Sequence, residues 1–195
     1  MKPMKSLLLA SVLASAVAIA APLKTDPAKS SVTATFKQMG VPVEAKFKQF
    51  AAQIDYDAAK PAASKASVEI QTASLDLGDP DYNKEVTKKE WFNTAQFPKA
   101  SFVSSAIAPV GAGKLNVSGK LTIKGRSADV SFPLSVKAEG GKQVFEGQLP
   151  IKRLAFNIGE GEWKDTSMVA DEVVIKFRVT AGEPVRFSVW NGAMK

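Results

Sequence analysis

Two groups of carboxylates come nearest to chemistry by type and spacing: Asp76, Asp79 and Asp81 in one stretch, and Glu160, Glu162 and Asp165 in another. Paired carboxylates perform general acid–base work when two of them converge in a cleft with separated pKa values. A calcium site needs several oxygen ligands together, and Asp76-x-x-Asp79-x-Asp81 lacks the full calcium-loop pattern. Asp79, directly before Pro80, already has a structural task as a helix N-cap. Both groups are therefore expected to be solvated loop acids. The chain holds no Cys and no His, so disulfides, thiol nucleophiles and thiolate metal sites are absent, as are Ser-His and Cys-His catalysis and the commonest zinc ligand. The expectation is a non-enzyme with no catalytic residue, no metal ligand and no cofactor.

Charge gives a second set of candidates. The precursor carries +7, which would suit anionic head groups, diphosphates or acidic partners. Nucleic acid is not an expected partner, because an export signal precedes the chain and no basic run exceeds two residues. Lys37, Lys46, Lys48, Lys120, Lys124 and Arg126 fall on outward strand positions or in turns, where lysines keep the protein soluble and blunt sheet edges. A turn residue such as Arg126 could border a barrel opening and meet an anionic head group. Transient contact with an anionic membrane surface, and a homodimer, remain open.

The elements that must position such groups are strands. Val130, Phe132, Leu134 and Val136 alternate with Ser131, Pro133, Ser135 and Lys137. Val173, Ile175, Phe177 and Val179 do the same, as do Leu115, Val117, Gly119, Leu121 and Ile123, and Val32, Ala34 and Phe36. Successive strand side chains point to opposite faces, so a period of two assigns one face to a core and one to water. The pattern reads as antiparallel strands with one solvated face. Strands are expected at about 31–39, 42–57 (bent near Gln49-Phe50), 66–72, 100–108, 114–124, 127–138, 143–154 and 171–181. The stretch Val185, Phe187 and Val189 offers one more. Short Gly-rich turns join most of them, and about eight antiparallel strands in a meander close on themselves and lose most edges. The exception is helical. Asp79-Pro80 opens it, Thr87-Lys88-Lys89-Glu90 reads as a capping box, and Phe97-Pro98 ends it.

The ends set the domain organisation. Lys2 and Lys5, an apolar stretch from Leu7 to Ile19, and Ala18-Ile19-Ala20 form a signal peptide over 1–20, cleaved after Ala20 into the periplasm. Residues 21–182 form one domain with a sizeable core, and 183–195 are a C-terminal extension.

The expected site is the barrel interior. By parity, Phe36, Phe47, Val68, Ile70, Leu121 and Ile123 face inward, as do Phe132, Leu134, Phe145, Ile151, Ile175 and Phe177. Trp91, Phe92, Phe97, Phe156 and Trp163 sit near turns or the helical piece, where they could form a mouth. A barrel of this size is either filled by side chains or left open for one small ligand. Inward Ala34, Ala45, Ala66, Gly119, Ala128 and Gly147 favour an open interior. A dry apolar tube gains about 0.8 kcal/mol per buried methylene, less the costs of association and ordering.

Four local patterns, in order, resemble the YceI-like family of exported lipocalin-like barrels. They are Asp26-Pro27-Ala28-Lys29-Ser30-Ser31-Val32; Lys84-Glu85-Val86 with Glu90-Trp91-Phe92-Asn93 and Phe97-Pro98-Lys99-Ala100-Ser101-Phe102; Val117-Ser118-Gly119-Lys120-Leu121-Thr122-Ile123-Lys124-Gly125; and Phe156-Asn157-Ile158-Gly159-Glu160-Gly161-Glu162-Trp163 leading to Val169-Ala170-Asp171-Glu172-Val173. They span about Pro22 to Thr180. The resemblance implies an all-β fold, an eight-stranded antiparallel lipocalin-like barrel with a short helical insertion. It also implies binding, transport or storage of a polyisoprenoid, an isoprenoid quinone-like lipid or a related amphiphile along the axis. The alternative is a filled, ligand-free interaction module that displays its loops to a membrane or a redox partner. Many members carry His where this chain has Gln38, Met39 and Asn83, so no histidine role transfers.

Overall fold

The computed structural model describes residues 22–184. The expected signal peptide over 1–20 and the Val185, Phe187, Val189 alternation lie outside the described residues. The elements are β1 (Leu23–Thr25), β2 (Ser31–Gln38), β3 (Val41–Phe47), β4 (Phe50–Asp55), β5 (Lys65–Gln71), β6 (Leu75–Asp76), α1 (Pro80–Glu85), β7 (Lys99–Gly111), β8 (Lys114–Ile123), β9 (Arg126–Glu139), β10 (Lys142–Lys152) and β11 (Glu172–Pro184). A closed, eight-stranded antiparallel barrel follows from how they pair. β1 and β2 act as one interrupted strand, and β3 and β4 as one strand bent at Lys48-Gln49. Val32 faces Phe47 and Leu23 faces Ile54 across that pair. β11 closes the ring, meeting β2 at Arg178↔Ser31 and β1 at Thr25↔Ala181. β6 is a two-residue addition on the edge of β3.

The period of two produces the core directly. Leu115, Val117, Leu121 and Ile123 on β8, with Phe132 and Val136 on β9, are buried, while their alternate neighbours face outward. Two departures concern β7. It runs on to Gly111, past the expected end near 108, and it shifts register between Ser104 and Ala106. This bulge moves the inward set from Ala100 and Phe102 to Ile107, because one extra residue changes the facing parity.

The wall has one long unzipped seam. The β9–β10 ladder stops at Gly147↔Leu134, although both strands continue. The Glu146 carbonyl accepts from Ser135 Oγ of β9 at 3.4 Å, so by the period of two Pro150 also turns its backbone polar edge toward β9. The Pro133 carbonyl sits on the β10 side, beside Gly147. Neither proline has an N–H to donate, and proline is confined to such edges. β10 ends at Lys152, where residues 153–156 turn into a short 3-10 helix.

The helical insertion forms where Asp79 signals it. Asp79 Oδ1 accepts from Asp81 N at 2.8 Å and Tyr82 N at 3.3 Å. The expected capping box does not form. Thr87 Oγ1 donates back to the Lys84 carbonyl at 2.7 Å, and Lys88 pairs with Glu85. Residues 86–97 are therefore a series of turns, in which Trp91 N donates to Lys88 O and Phe92 N to Val86 O.

Candidate functional site

Inward side chains of the barrel line three apolar chambers that share walls along the axis. The inner one holds about 120 Å³ and has Ile54, Val68, Ile107, Val117, Phe145 and Val179 among its lining. The middle one holds about 100 Å³; Val68, Ile70, Phe102, Leu121 and Ile175 belong to both. The outer one holds about 310 Å³ and shares Ala34, Phe47, Phe92, Arg153, Ile158 and Val173 with the middle. Ligand pockets commonly run from about 300 to 1,000 Å³. An apolar cavity of about 150 Å³ stays dry and accepts an apolar guest.

Aromatic rings set the waists. Phe132 packs on Phe102 and on Phe177 with centroids 5.4 Å apart in each pair, and Phe47 meets Phe92 edge-on at 6.4 Å. Two inward glycines serve these rings and leave no open volume of their own. A Cβ at Gly119 would stand 2.6 Å from the Phe102 ring, and one at Gly147 would stand 2.5 Å from the Phe177 ring. The expectation that they enlarge the interior is corrected: the missing side chains are replaced by phenylalanine faces. Ala34 and Ala66 do border open space.

Two buried cations hold the roof. Arg153, 2% exposed, donates to five backbone carbonyls: Ala170 at 3.0 Å, Ile158 at 2.8 Å, Gly159 at 3.3 Å, and Trp163 and Val169 at 2.6 Å each. Its guanidinium lies 5.8 Å from the centre of the Trp91 ring, and Trp91 packs on Trp163 with ring centroids 5.3 Å apart and planes tilted by 50°. Burial draws the Arg153 pKa down, and Asp171 offsets part of that. Gly159, at φ +83°, lets the guanidinium approach its backbone where any side chain would collide. Lys124 Nζ donates to Lys89 O and Asn157 O at 2.7 Å each and to Glu160 Oε2 at 2.9 Å. The insertion is thereby pinned to the β8–β9 turn, against the expectation that Lys124 is a plain surface charge. With the Asn157 amide turned so that its oxygen faces Arg126, Arg126 Nε donates to it at 2.9 Å.

Four of the six candidate acids are spent on structure. Asp76 is held by Lys48 Nζ at 2.6 Å, Asn83 Nδ2 at 2.9 Å and Gly78 N at 3.0 Å. The Lys48 contact first, then Asn83, sets its pKa well below the carboxylate range. Asp79 caps α1, Glu160 pairs with Lys124, and Asp165 Oδ1 accepts from the Ser167 N–H and hydroxyl at 2.9 and 2.7 Å.

The chambers bring together most residues that the sequence singles out. Phe36, Trp91 and Trp163 line the outer chamber, and Phe47 and Phe92 the outer and middle. Ile123 and Ile151 line the middle one, and Phe132, Leu134, Phe145 and Phe177 the inner. Phe97 and Phe156 line none of them: Phe97 packs under Gly125, and Phe156 is 3% exposed within the core. Turn residues lack the two-residue period, so no parity fixes their direction. Phe102, Leu149, Ile54 and Tyr56 line the inner chamber and were not among the candidates. For Phe102 the signal was there, in the change of parity between Phe102 and Ile107 that only a bulge reconciles.

With this geometry in place, comparison with known proteins is specific. The family model of the YceI-like domain matches residues 23–181. A UPF0312 protein of Shewanella baltica (strain OS155) is 34% identical over 150 residues, 75% of either chain. One from Shewanella sp. (strain W3-18-1) is 34% identical over 129 residues, 66% of this chain but 64% of that relative's length. Among solved structures, Burkholderia cenocepacia BcnA is 56% identical, with a TM-score of 0.79 over 81% of this chain and 99% of its own. A polyisoprenoid binding domain from Saccharophagus degradans, implicated in plant cell wall breakdown, shares the fold at 17% identity, with a TM-score of 0.65 over 85% of this chain and 99% of its own.

Proposed function

The chain belongs to the YceI-like domain family, and from that premise we propose that it binds, carries or stores one long apolar ligand in the periplasm. The ligand class is a polyisoprenoid or an isoprenoid quinone-like lipid, in keeping with the S. degradans relative described as a polyisoprenoid binding domain. The observation that carries the reading is the axial succession of three apolar chambers with shared walls. The chain of the ligand would thread the middle and inner chambers. Its polar end would stay in the outer one, among Gln38, Tyr82, Glu85 and Trp91, whose indole N–H is buried without a partner among the described residues. Binding rather than catalysis is favoured because four of the six candidate acids, Asp76, Asp79, Glu160 and Asp165, are committed to a cap, a turn or an ion pair, in a chain with no His or Cys.

A second reading, a ligand-free interaction module, draws on the narrow waist formed by Phe102, Phe132 and Phe177. The two separate on a plug variant. Ala34 borders both the outer and middle chambers, so Ala34→Phe is expected to cut loading of a long prenyl chain at least tenfold while leaving a short one bound. Phe132→Asp is expected to abolish loading altogether, with folding checked by circular dichroism. Unchanged long-chain loading in a folded Ala34→Phe protein contradicts the channel.

A further inference from the structure

Met39 stands in a backbone position that bulky residues avoid. It has φ +50° and is followed by Gly40 at φ +79°, the geometry of a two-residue hairpin turn that normally calls for Asn-Gly. The residue is 78% exposed, so the turn carries an unfavoured residue whose apolar group stands largely in solvent. Three other exposed apolar side chains share its neighbourhood: Val41 at 63%, Tyr82 at 55% and Met168 at 40%. Met39 N donates to Met168 O at 2.8 Å, Gln38 pairs with Val41 and with Val169, and Gln38, Tyr82 and Val169 all line the outer chamber. Tyr82 thus lines the outer chamber itself, and Met39, Val41 and Met168 adjoin its lining residues Gln38 and Val169. Strain held at an exposed site is a pointer to function, and apolar groups gathered at an opening mark a contact surface.

We propose that Met39, Val41, Tyr82 and Met168 form a rim that docks the mouth on a lipid bilayer and enters the boundary between head groups and acyl chains. The outer chamber then opens against the membrane, and an apolar chain passes between the two without crossing water. The proposal rests on the apolar-ligand reading above. A bilayer fits better than a protein partner: the rim continues the apolar lining of a channel for lipid, and tyrosine is suited to the membrane interface. Neighbouring charges are of both signs, Lys37 beside Gln38, Lys84 and Glu85 on the helix of Tyr82, and Lys164 and Asp165 before Met168. Docking is therefore apolar rather than Coulombic, and indifferent to salt.

The test uses the protein and phosphatidylcholine vesicles carrying a dansylated farnesyl chain. Met39→Asn suits the turn better than the native residue, so the double variant Met39→Asn/Met168→Ser keeps the fold. Wild type is expected to float with the vesicles at low and high salt. The variant should lose vesicle binding and the rate of transfer at least tenfold, yet load normally from an aqueous dispersion of the same probe. Equal vesicle binding by both proteins overturns the proposal. So does binding that needs anionic lipid and vanishes with salt, or capture of a protein partner by a rim that ignores vesicles. Loading from dispersion without any vesicle binding removes the docking alone, whereas failure to load from either source removes the ligand reading and the docking with it.

Discussion

The Lys124 ammonium ties together three segments that have no strand pairing with one another, the insertion, the β8–β9 turn and the 153–160 turn. Lys124→Met keeps the stem but strands two carbonyls and Glu160, and should cost about 1–3 kcal/mol. Urea denaturation would show this, and a loss below the error of the method would mean that the roof is held by packing alone. Asp76 gives a pH-dependent counterpart. Its folded pKa is depressed by Lys48, Asn83 and the Gly78 N–H, so its stabilisation is complete above the unfolded value of about 3.9 and is lost as pH falls below it. Asp76→Asn should be less stable than wild type at pH 7, with the gap closing below about pH 4. A gap of constant size at every pH would exclude the ionised carboxylate as its source. Legibility at this scale followed period. Phe132, Ile175 and Phe177 were readable because a strand fixes where they point. Phe97, Phe156 and Lys124 sit in turns, where direction depends on contacts far along the chain.

Among the elements, β7 and β8 meet at a bulge whose partner is Gly119, with Val103 O and the Phe102 ring within 2.6 Å of where a Cβ would lie. Gly119→Ala should destabilise the barrel by about 1–3 kcal/mol through overpacking, and thermal unfolding at the wild-type temperature would contradict that packing. The β9–β10 seam gives an alternating expectation. On β9, Asp129 and Ser131 turn their N–H groups to the open side, while Val130 and Phe132 turn theirs to the unbroken β8 ladder. Amide exchange should be much faster at the first pair than at the second, and uniform protection along β9 would show that the seam is closed. The sequence held the strands and the Asp79 cap because both depend on local pattern. It did not hold β1, which is three residues long, or the failed capping box at Thr87, where the hydroxyl finds the Lys84 carbonyl first. Both outcomes are decided by tertiary partners.

The molecule as a whole is a meander closed into a ring, with a turn-rich roof over one end and apolar chambers strung along its axis. Closure and the inward face were legible in the alternation. The waists and the rim were not, since they depend on which inward rings meet across the barrel and on the backbone angle of one turn residue. The most direct test of the interior is native mass spectrometry of the protein purified without detergent, repeated after organic extraction and after incubation with a long prenyl lipid. The expected result is a bound mass in the lipid range that extraction removes and incubation restores at one per chain. A protein that carries only its own mass throughout, and gains none from the lipid, would contradict a binding channel.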